Sequence, residues 1–453
     1  MLLTCRTRRT GAPGRRELTY GRSVIIGFLV CAVNFLVGCN PSGCNNPGPG
    51  AGVRWTGYPA LATSTRSYSW LVVKCQLSDN SAIPAGLDAD IQGFLGIGGS
   101  GYGNIVDYFH DVSYNQASVV GTGFVGWVPA PFGTRDLAYP NGRLAPPSAR
   151  AQRVKECLQA IPADKGIDLA DYYGVVVINN VVNDGGACYT GQQPMSVNNK
   201  NYNLACVWFD PNSLFTDFAA HELSHGLGLD HSYDDSGRNC GGNPGEYCDP
   251  WDIMSALGTY TFPDRNWLIG GANSAGGPGM NAATLLRIGW IPSANQKRYS
   301  IEDGGDQVFK LRALSHATES DTLVVILNVG ATAFDATYTV EYRQGDGWDA
   351  GFVSHPNSPA KVRTQGGTVL VHQFRMAGAP ASTLINGAYG GPLQPGDTLV
   401  VPGFGGTVYH VTVKTIDIPD GSATVVIGSG RGPALPKFGI IGMRVSESMH
   451  VKP

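Results

Sequence analysis

The sequence predicts two folded parts in tandem, an α/β layer domain followed by an antiparallel β-sandwich-like domain. Three observations predict this. Between residues 66 and 295, apolar strand-like runs alternate with amphipathic helical stretches. After Ile291-Pro292 the pattern changes to short β-rich runs separated by Gly, Pro and Asp turns. The composition agrees: of 453 residues, 62 are Gly and 29 are Pro, only 15% are charged, and the formal net charge is −3. Such a chain is turn-rich and globular, and is neither a coiled coil, a highly charged disordered chain nor a basic nucleic-acid binder.

The elements follow in order. Arg6, Arg8, Arg9, Arg15, Arg16 and Arg22 face only Glu17, and an apolar run over 24–38 follows. This is the basic and apolar pattern of a secretory signal. The run ends in Leu36-Val37-Gly38-Cys39, which resembles a bacterial lipobox and makes Cys39 the expected lipidation site. Residues 1–38 are therefore read as a lipoprotein signal peptide and 39–65 as a flexible tether. Removing the signal takes the formal charge from −3 to −8, with no general attraction for nucleic acid.

Residues 68–77 read as a buried strand, and 85–103 as an acidic, then Gly-rich loop. That loop formally matches GxGxxG at 96–101, but no βαβ unit surrounds it. A helix over 104–116, a strand over 119–128, a helix over 148–160 and a central strand over 173–179 come next. A strand over 203–209 leads through Asp210-Pro211-Asn212-Ser213, a helix-start sequence, into a helix over 214–226. The first folded domain is assigned to 66–295. The second, 296–430, carries β runs at 322–328, 336–343, 368–374, 397–401, 408–416 and 423–428; residues 431–453 are a tail.

Cysteine usage fits export. Apart from the signal and Cys39, seven cysteines remain, and an oxidising compartment favours disulfides. Proximity suggests Cys240–Cys248 and Cys188–Cys206, and elimination suggests Cys75–Cys157. Cys44 is left over in the tether, where it is a candidate inhibitory thiolate.

The chemistry is concentrated at 221–231, His-Glu-Leu-Ser-His-Gly-Leu-Gly-Leu-Asp-His. On a helix, His221 and His225 share one face and converge on one cation. Glu222, beside that face, is placed to act as a general base. Gly228 suits the sharp turn at the helix end that returns His231 as a third ligand. Three histidines leave one position of Zn²⁺ open, which is the catalytic rather than the structural arrangement. Asp230, Asp234 and Asp235 form an acid cluster considered for Ca²⁺, although no loop pattern fits.

The extended motif is similar to that of the metzincin metallopeptidases, whose clan has a methionine turn beneath the zinc. Glu246-Tyr247-Cys248-Asp249-Pro250-Trp251-Asp252-Ile253-Met254-Ser255 resembles it, with Met254 as the supporting methionine. The likeness is closest to the gametolysin-like and immune-inhibitor-A-like bacterial peptidases, and spans roughly residues 66–430. It also rests on the strand and trailing acid at 70–79, the segments 108–114 and 126–128, and, in the second domain, 338–343 and 369–372. It implies a mixed sheet with an active-site helix, and a zinc-bound water activated by Glu222 to hydrolyse peptide bonds. It makes 203–209 the edge strand that receives substrate, and 256–260 a lining of the specificity pocket. Where some metzincins carry a tyrosine ligand two residues after the methionine, this chain has Ala256; Tyr260 is the alternative for that role.

The expected protein is thus an extracytoplasmic, lipid-anchored zinc endopeptidase acting on proteins or peptides. The alternative is a surface adhesin whose β domain binds a ligand while hydrolysis is secondary or absent.

Overall fold

The computed structural model describes residues 66–96, 104–137, 146–255, 259–263, 275–300, 304–328, 337–375, 380–385, 392–403 and 407–431. The signal, the tether with Cys39 and Cys44, and the tail from 432 lie outside them. The architecture is mixed α/β with several sheets.

The first half carries β1 (Arg66–Gln76), α1 (Leu87–Leu95), α2 (Ile105–Val112), β2 (Ala117–Pro129), α3 (Thr134–Leu137), α4 (Pro147–Gln159), β3 (Gly174–Asn179), β4 (Gly186–Ala187), β5 (Gln193–Val197), β6 (Lys200–Phe209), α5 (Thr216–Gly226) and β7 (Ser232–Asp234). One sheet runs β2-β1-β3-β6-β4, with β5 also on β6. Strands β2, β1, β3 and β6 are parallel neighbours; β4 and β5 run antiparallel to β6. Parallel strands need both faces covered, and the residues obey that with a period of two. Val175 and Val177 of β3 join one core with Leu71, Val73 and Trp208. Val176 and Ile178 join the opposite core with Trp70, Val72 and Phe209.

Two expectations change here. The segment 85–103 is not all loop: Leu87, Ile91, Phe94 and Leu95 fall on one helical face and bury, forming α1. Its acidic residues masked that spacing. Gly96 follows as its C-cap, while residues 97–103 lie outside the described set. Nor is 203–209 an edge strand. It is flanked by β3 on one side and by β4 and β5 on the other, so the outer edge belongs to the segment 186–197.

Beyond β7 come a two-stranded ribbon of β8 (Phe262–Pro263) and β9 (Ala275–Gly276), α6 (Ala282–Ile288), then β10 (Gln296–Tyr299), β11 (Gln307–Arg312), β12 (Val324–Asn328), β13 (Thr337–Gln344), β14 (Gly367–Phe374), β15 (Ser382–Leu384), β16 (Thr398–Pro402), β17 (Thr407–Asp417) and β18 (Ser422–Arg431). A six-stranded sheet, β10-β12-β13-β14-β15-β7, faces a four-stranded antiparallel sheet, β11-β18-β17-β16. Val325, Val340 and Val371 of one interleave with Val401, Val411 and Val425 of the other. The sandwich is not purely antiparallel, because β10–β12 and β15–β7 are parallel pairs. The second of these recruits residues from the first half. The other face of the six-stranded sheet also serves the metal-motif half: Val324 and Ile326 share a core with Met254, Leu223 and Leu285.

The three expected disulfides form: Cys75–Cys157 ties β1 to α4, Cys188–Cys206 ties the end of β4 to β6, and Cys240–Cys248 closes a loop after β7. They point to an oxidising environment. Among the described residues no helix is long and apolar enough to cross a membrane.

A buried ionic network joins the halves. Arg343 on β13 is 1% exposed and grips Asp349 through Nε and Nη2 at 2.7 and 2.6 Å, with Glu341 at 3.3 Å. Asp349 also accepts the Gly279 N–H at 3.0 Å, and Glu341 accepts the Ala282 N–H. Removing one member of such a set leaves buried charges unpaired. Arg343→Leu is expected to lower unfolding free energy by about 3–5 kcal/mol, measured by chemical denaturation; a loss below about 1 kcal/mol would show that the network is not holding the halves.

Candidate metal centre

The site is built on α5 and the two turns that follow it. Asp210 starts the approach: its side chain accepts from Asn212 N–H at 2.9 Å and, with Ser213, completes a capping box after β6. Helix α5 then presents His221 and His225 one turn apart, ring centroids 4.6 Å apart and perpendicular. The helix ends at Leu227, and Gly228 follows at φ +93°, a left-handed conformation that a side chain disfavours. The turn brings His231 back, its ring 4.7 Å from that of His225 and 5.4 Å from that of His221. Each of the three offers a ligand atom within 4.8 Å of the others, and they are the one such gathering of metal-capable side chains among the described residues.

Hydrogen bonds fix the tautomers. His221 donates from Nδ1 to the Ile253 carbonyl at 2.9 Å, and His225 donates from Nδ1 to the Leu229 carbonyl at 2.8 Å. A carbonyl only accepts, so each Nδ1 carries the proton and each Nε2 is a bare lone pair in the neutral ring. Those two Nε2 atoms lie 3.0 Å apart. Burial, and then the neighbouring His225, hold His221 well below the usual histidine pKa, so protonation is a poor way to relieve the repulsion. A shared cation relieves it. His231 turns Nδ1 to Glu246 Oε1 at 2.5 Å and leaves Nε2 toward Tyr247 Oη at 2.9 Å. Three imidazoles with oriented outer nitrogens are a donor set that fits Zn²⁺.

Glu222 is half-buried. Its Oε2 accepts the Ala187 N–H of β4 at 2.6 Å. Burial pushes its pKa up, opposed by His225, by that N–H and by Arg150. Met254 is completely buried in a short turn, Ile253–Ser255, and shares the core of Ala219, Ala220 and Leu223. The direct grip on His221 comes from the adjacent Ile253 carbonyl.

Several expectations land elsewhere. Tyr260 packs its ring on Trp251, centroids 4.8 Å apart, and Ala256 lies outside the described residues. The tyrosine that reaches a metal-motif histidine is Tyr247. Neither it nor Glu246 has a role that the sequence assigns, although both lie inside a short disulfide loop. Asp230, Asp234 and Asp235 do not form a cation set; Asp234 accepts from Ser236 and pairs with Arg238 at 2.7 Å. His372 is buried, its Nε2 3.1 Å from Asp249 Oδ2.

No family model, no curated protein and no solved structure matches this chain. The geometry of the site therefore carries the functional argument.

Two measurements check this geometry. The purified protein is expected to bind about one Zn²⁺ per chain, and His225→Ala to lose it; elemental analysis showing full zinc in the variant would overturn the ligand set. The second concerns Asp217 in the first turn of α5, which accepts from Thr259 Oγ1 at 3.1 Å and whose pKa burial pushes up to about 8. An unfolded aspartate titrates near 4, so between about pH 4 and pH 8 the fold binds a proton that the unfolded chain lacks. The stability that this gives is complete at the acid end and is lost as pH rises through 8, by about 1.4 kcal/mol per pH unit. Asp217→Asn is expected to raise the Tm relative to the parent at pH 8 but not at pH 4; equal Tm differences at both would refute it.

Proposed function

We propose that this chain is a metzincin-like zinc endopeptidase, exported and anchored to a membrane through lipid on Cys39. The observation that carries the hydrolytic reading is the pair of bare imidazole nitrogens of His221 and His225, 3.0 Å apart, with His231 beside them and Glu222 on the same helix. Zinc bound there would polarise a peptide carbonyl and acidify water. The remaining work belongs to the chain. His221, His225 and His231 hold the cation. Glu222 takes the proton from the attacking water and passes it to the leaving amine. The Ala187 N–H fixes one oxygen of Glu222 and leaves the other free for that transfer. Burial raises the carboxyl's pKa above the ordinary glutamate value, the direction that suits a group that must return the proton it accepts.

Further support comes from the arrangement around the helix: a mostly parallel sheet, an antiparallel outer strand next to Glu222, and a buried methionine turn. An extended substrate would add along the outer edge of 186–197, not along β6. The anchoring through Cys39 rests on the sequence of 1–39 alone. The acidic balance favours protein or peptide substrates over nucleic acid.

The test is cleavage of casein by the purified protein, with and without a chelator. Chelation is expected to abolish cleavage, and Glu222→Gln to cut kcat by roughly 10²–10⁴ while zinc stays bound. Undiminished cleavage by the variant would reject Glu222 as the base. A zinc-loaded parent that cleaves nothing would favour the adhesin reading, in which the β-sandwich binds a ligand.

A further inference from the structure

The three histidines are not held alike. His221 and His225 are braced by backbone carbonyls of a buried turn and of their own helix end. His231 lies beyond the helix with its side chain 24% exposed, and neither of its nitrogens is held by such a carbonyl. Both are met by consecutive residues of one loop. Glu246 Oε1 takes Nδ1 at 2.5 Å, while Tyr247 reaches Nε2 at 2.9 Å and packs its ring 4.2 Å from the imidazole.

Within the loop, backbone bonds run from Glu246 N–H to Asn243 O at 2.9 Å and from Cys248 N–H to Gly245 O at 3.1 Å. Residues 241–244 are exposed. Tyr247 sits at φ +62°, a conformation that costs a non-glycine residue energy and persists only when its surroundings impose it. Two sets of restraints impose it here. Backbone bonds run to β7, from Tyr247 N–H to Ser232 O at 3.1 Å and from Asp234 N–H to Gly245 O at 2.9 Å. The Cys240–Cys248 disulfide closes the far side, adjacent to Tyr247. Glu246 is further fixed by Asn243, whose backbone N–H and side-chain amide both donate to Oε2, at 2.7 and 2.8 Å.

We propose that the disulfide-closed loop 240–248 is the positioning element for the third metal ligand, with Glu246 acting through His231, so that the metal affinity of the centre depends on the Cys240–Cys248 bond. This rests on the metal centre proposed above. A cross-link limits the conformations open to a short exposed loop, and a carboxylate on the outer nitrogen of a histidine orients the ring and raises its basicity. Opening the loop releases the orientation without touching a ligand.

Zinc dissociation constants, measured by competition with a chromophoric chelator, test this. The variants are Cys240→Ser/Cys248→Ser, Glu246→Ala and their combination, with His225→Ala as the broken-centre reference. The cysteine pair and Glu246→Ala are each expected to weaken Zn²⁺ binding by about 10- to 100-fold. Their combination should be little worse than either alone, because both act through one histidine. Circular dichroism of the metal-free proteins separates this from general unfolding, since the parent and variant folds should coincide. Should the cysteine variant be too poorly folded, the same comparison on the intact protein before and after a water-soluble phosphine, which becomes its oxide with oxygen from water as the disulfide becomes two thiols, reads the same change once mass mapping shows Cys75–Cys157 and Cys188–Cys206 still closed. Parent-like affinity in the opened loop, or fully additive losses, overturns the proposal while leaving the centre intact. A parent protein that takes up no zinc overturns both.

Discussion

The site depends on where three imidazoles send their outer nitrogens. Two go to carbonyls and one to a carboxylate; the inner nitrogens of His221 and His225 are left bare and facing each other, while that of His231 meets Tyr247 Oη. Bringing lone pairs to 3.0 Å in a buried pocket is unfavourable unless something positive sits among them. Each acceptor belongs to a different piece of the fold: the turn that carries Ile253, the helix end and the disulfide loop. The helix alone would place two rings on one face but would not choose their tautomers.

The turn that carries Met254 is in turn held by groups from several other elements. Asp249 meets His372 on β14 and Asn281 just before α6. Asp252 accepts from Ser232 at 2.5 Å and Thr284 at 2.7 Å, and its other oxygen accepts the Met254 N–H. Ser232 lies on β7, which joins the six-stranded sheet through β15. Through His372 and the pairing of β15 with β7, the β-rich half therefore helps to hold the turn that carries Ile253. Its polar contacts with the turn are fully buried, where a hydrogen bond left unmade is costly. The coupling is a matter of satisfied bonds as much as of apolar area.

The legibility of the sequence tracks how local each signal is. Strands such as β3, apolar from Gly174 to Ile178, and the helix carrying HELSH are written in contiguous residues, and their bounds fall close to the expected ones. The three disulfides follow from spacing and elimination. Helix α1 was hidden because Asp88 and Asp90 interrupt the eye, although Leu87, Ile91 and Phe94 keep the period. The neighbours of β6 were misjudged because β4 is two residues long and leaves no pattern to read. Glu246, Tyr247 and Arg343 were invisible as functional or structural partners because what they touch lies elsewhere in the chain, and an isolated charge or tyrosine does not announce a buried contact. The parallel pairing of β7 with β15 joins residues about 150 apart and has no sequence signature.

Glu222 shows why those non-local contacts matter for chemistry. A glutamate on an exposed helix face explores many rotamers, and a base must hold one geometry to be effective. Here the Ala187 N–H pins one oxygen, and Ala187 is itself restrained: its carbonyl accepts from Arg150 Nη1 at 3.3 Å, and Arg150 is locked to Asp184 by two bonds at 3.0 and 2.9 Å. Gly186 makes room for this, since at φ +149° a Cβ would fall 2.2 Å from the guanidinium. The chain of restraint runs from α4 through an arginine, a glycine and a two-residue strand to the carboxylate. Each link is short, buried or nearly so, and made of donors meeting acceptors. A motif of eleven residues supplies the atoms of the centre, but the rest of the fold supplies their direction, and without that direction the same residues would be a helix with three histidines near its end.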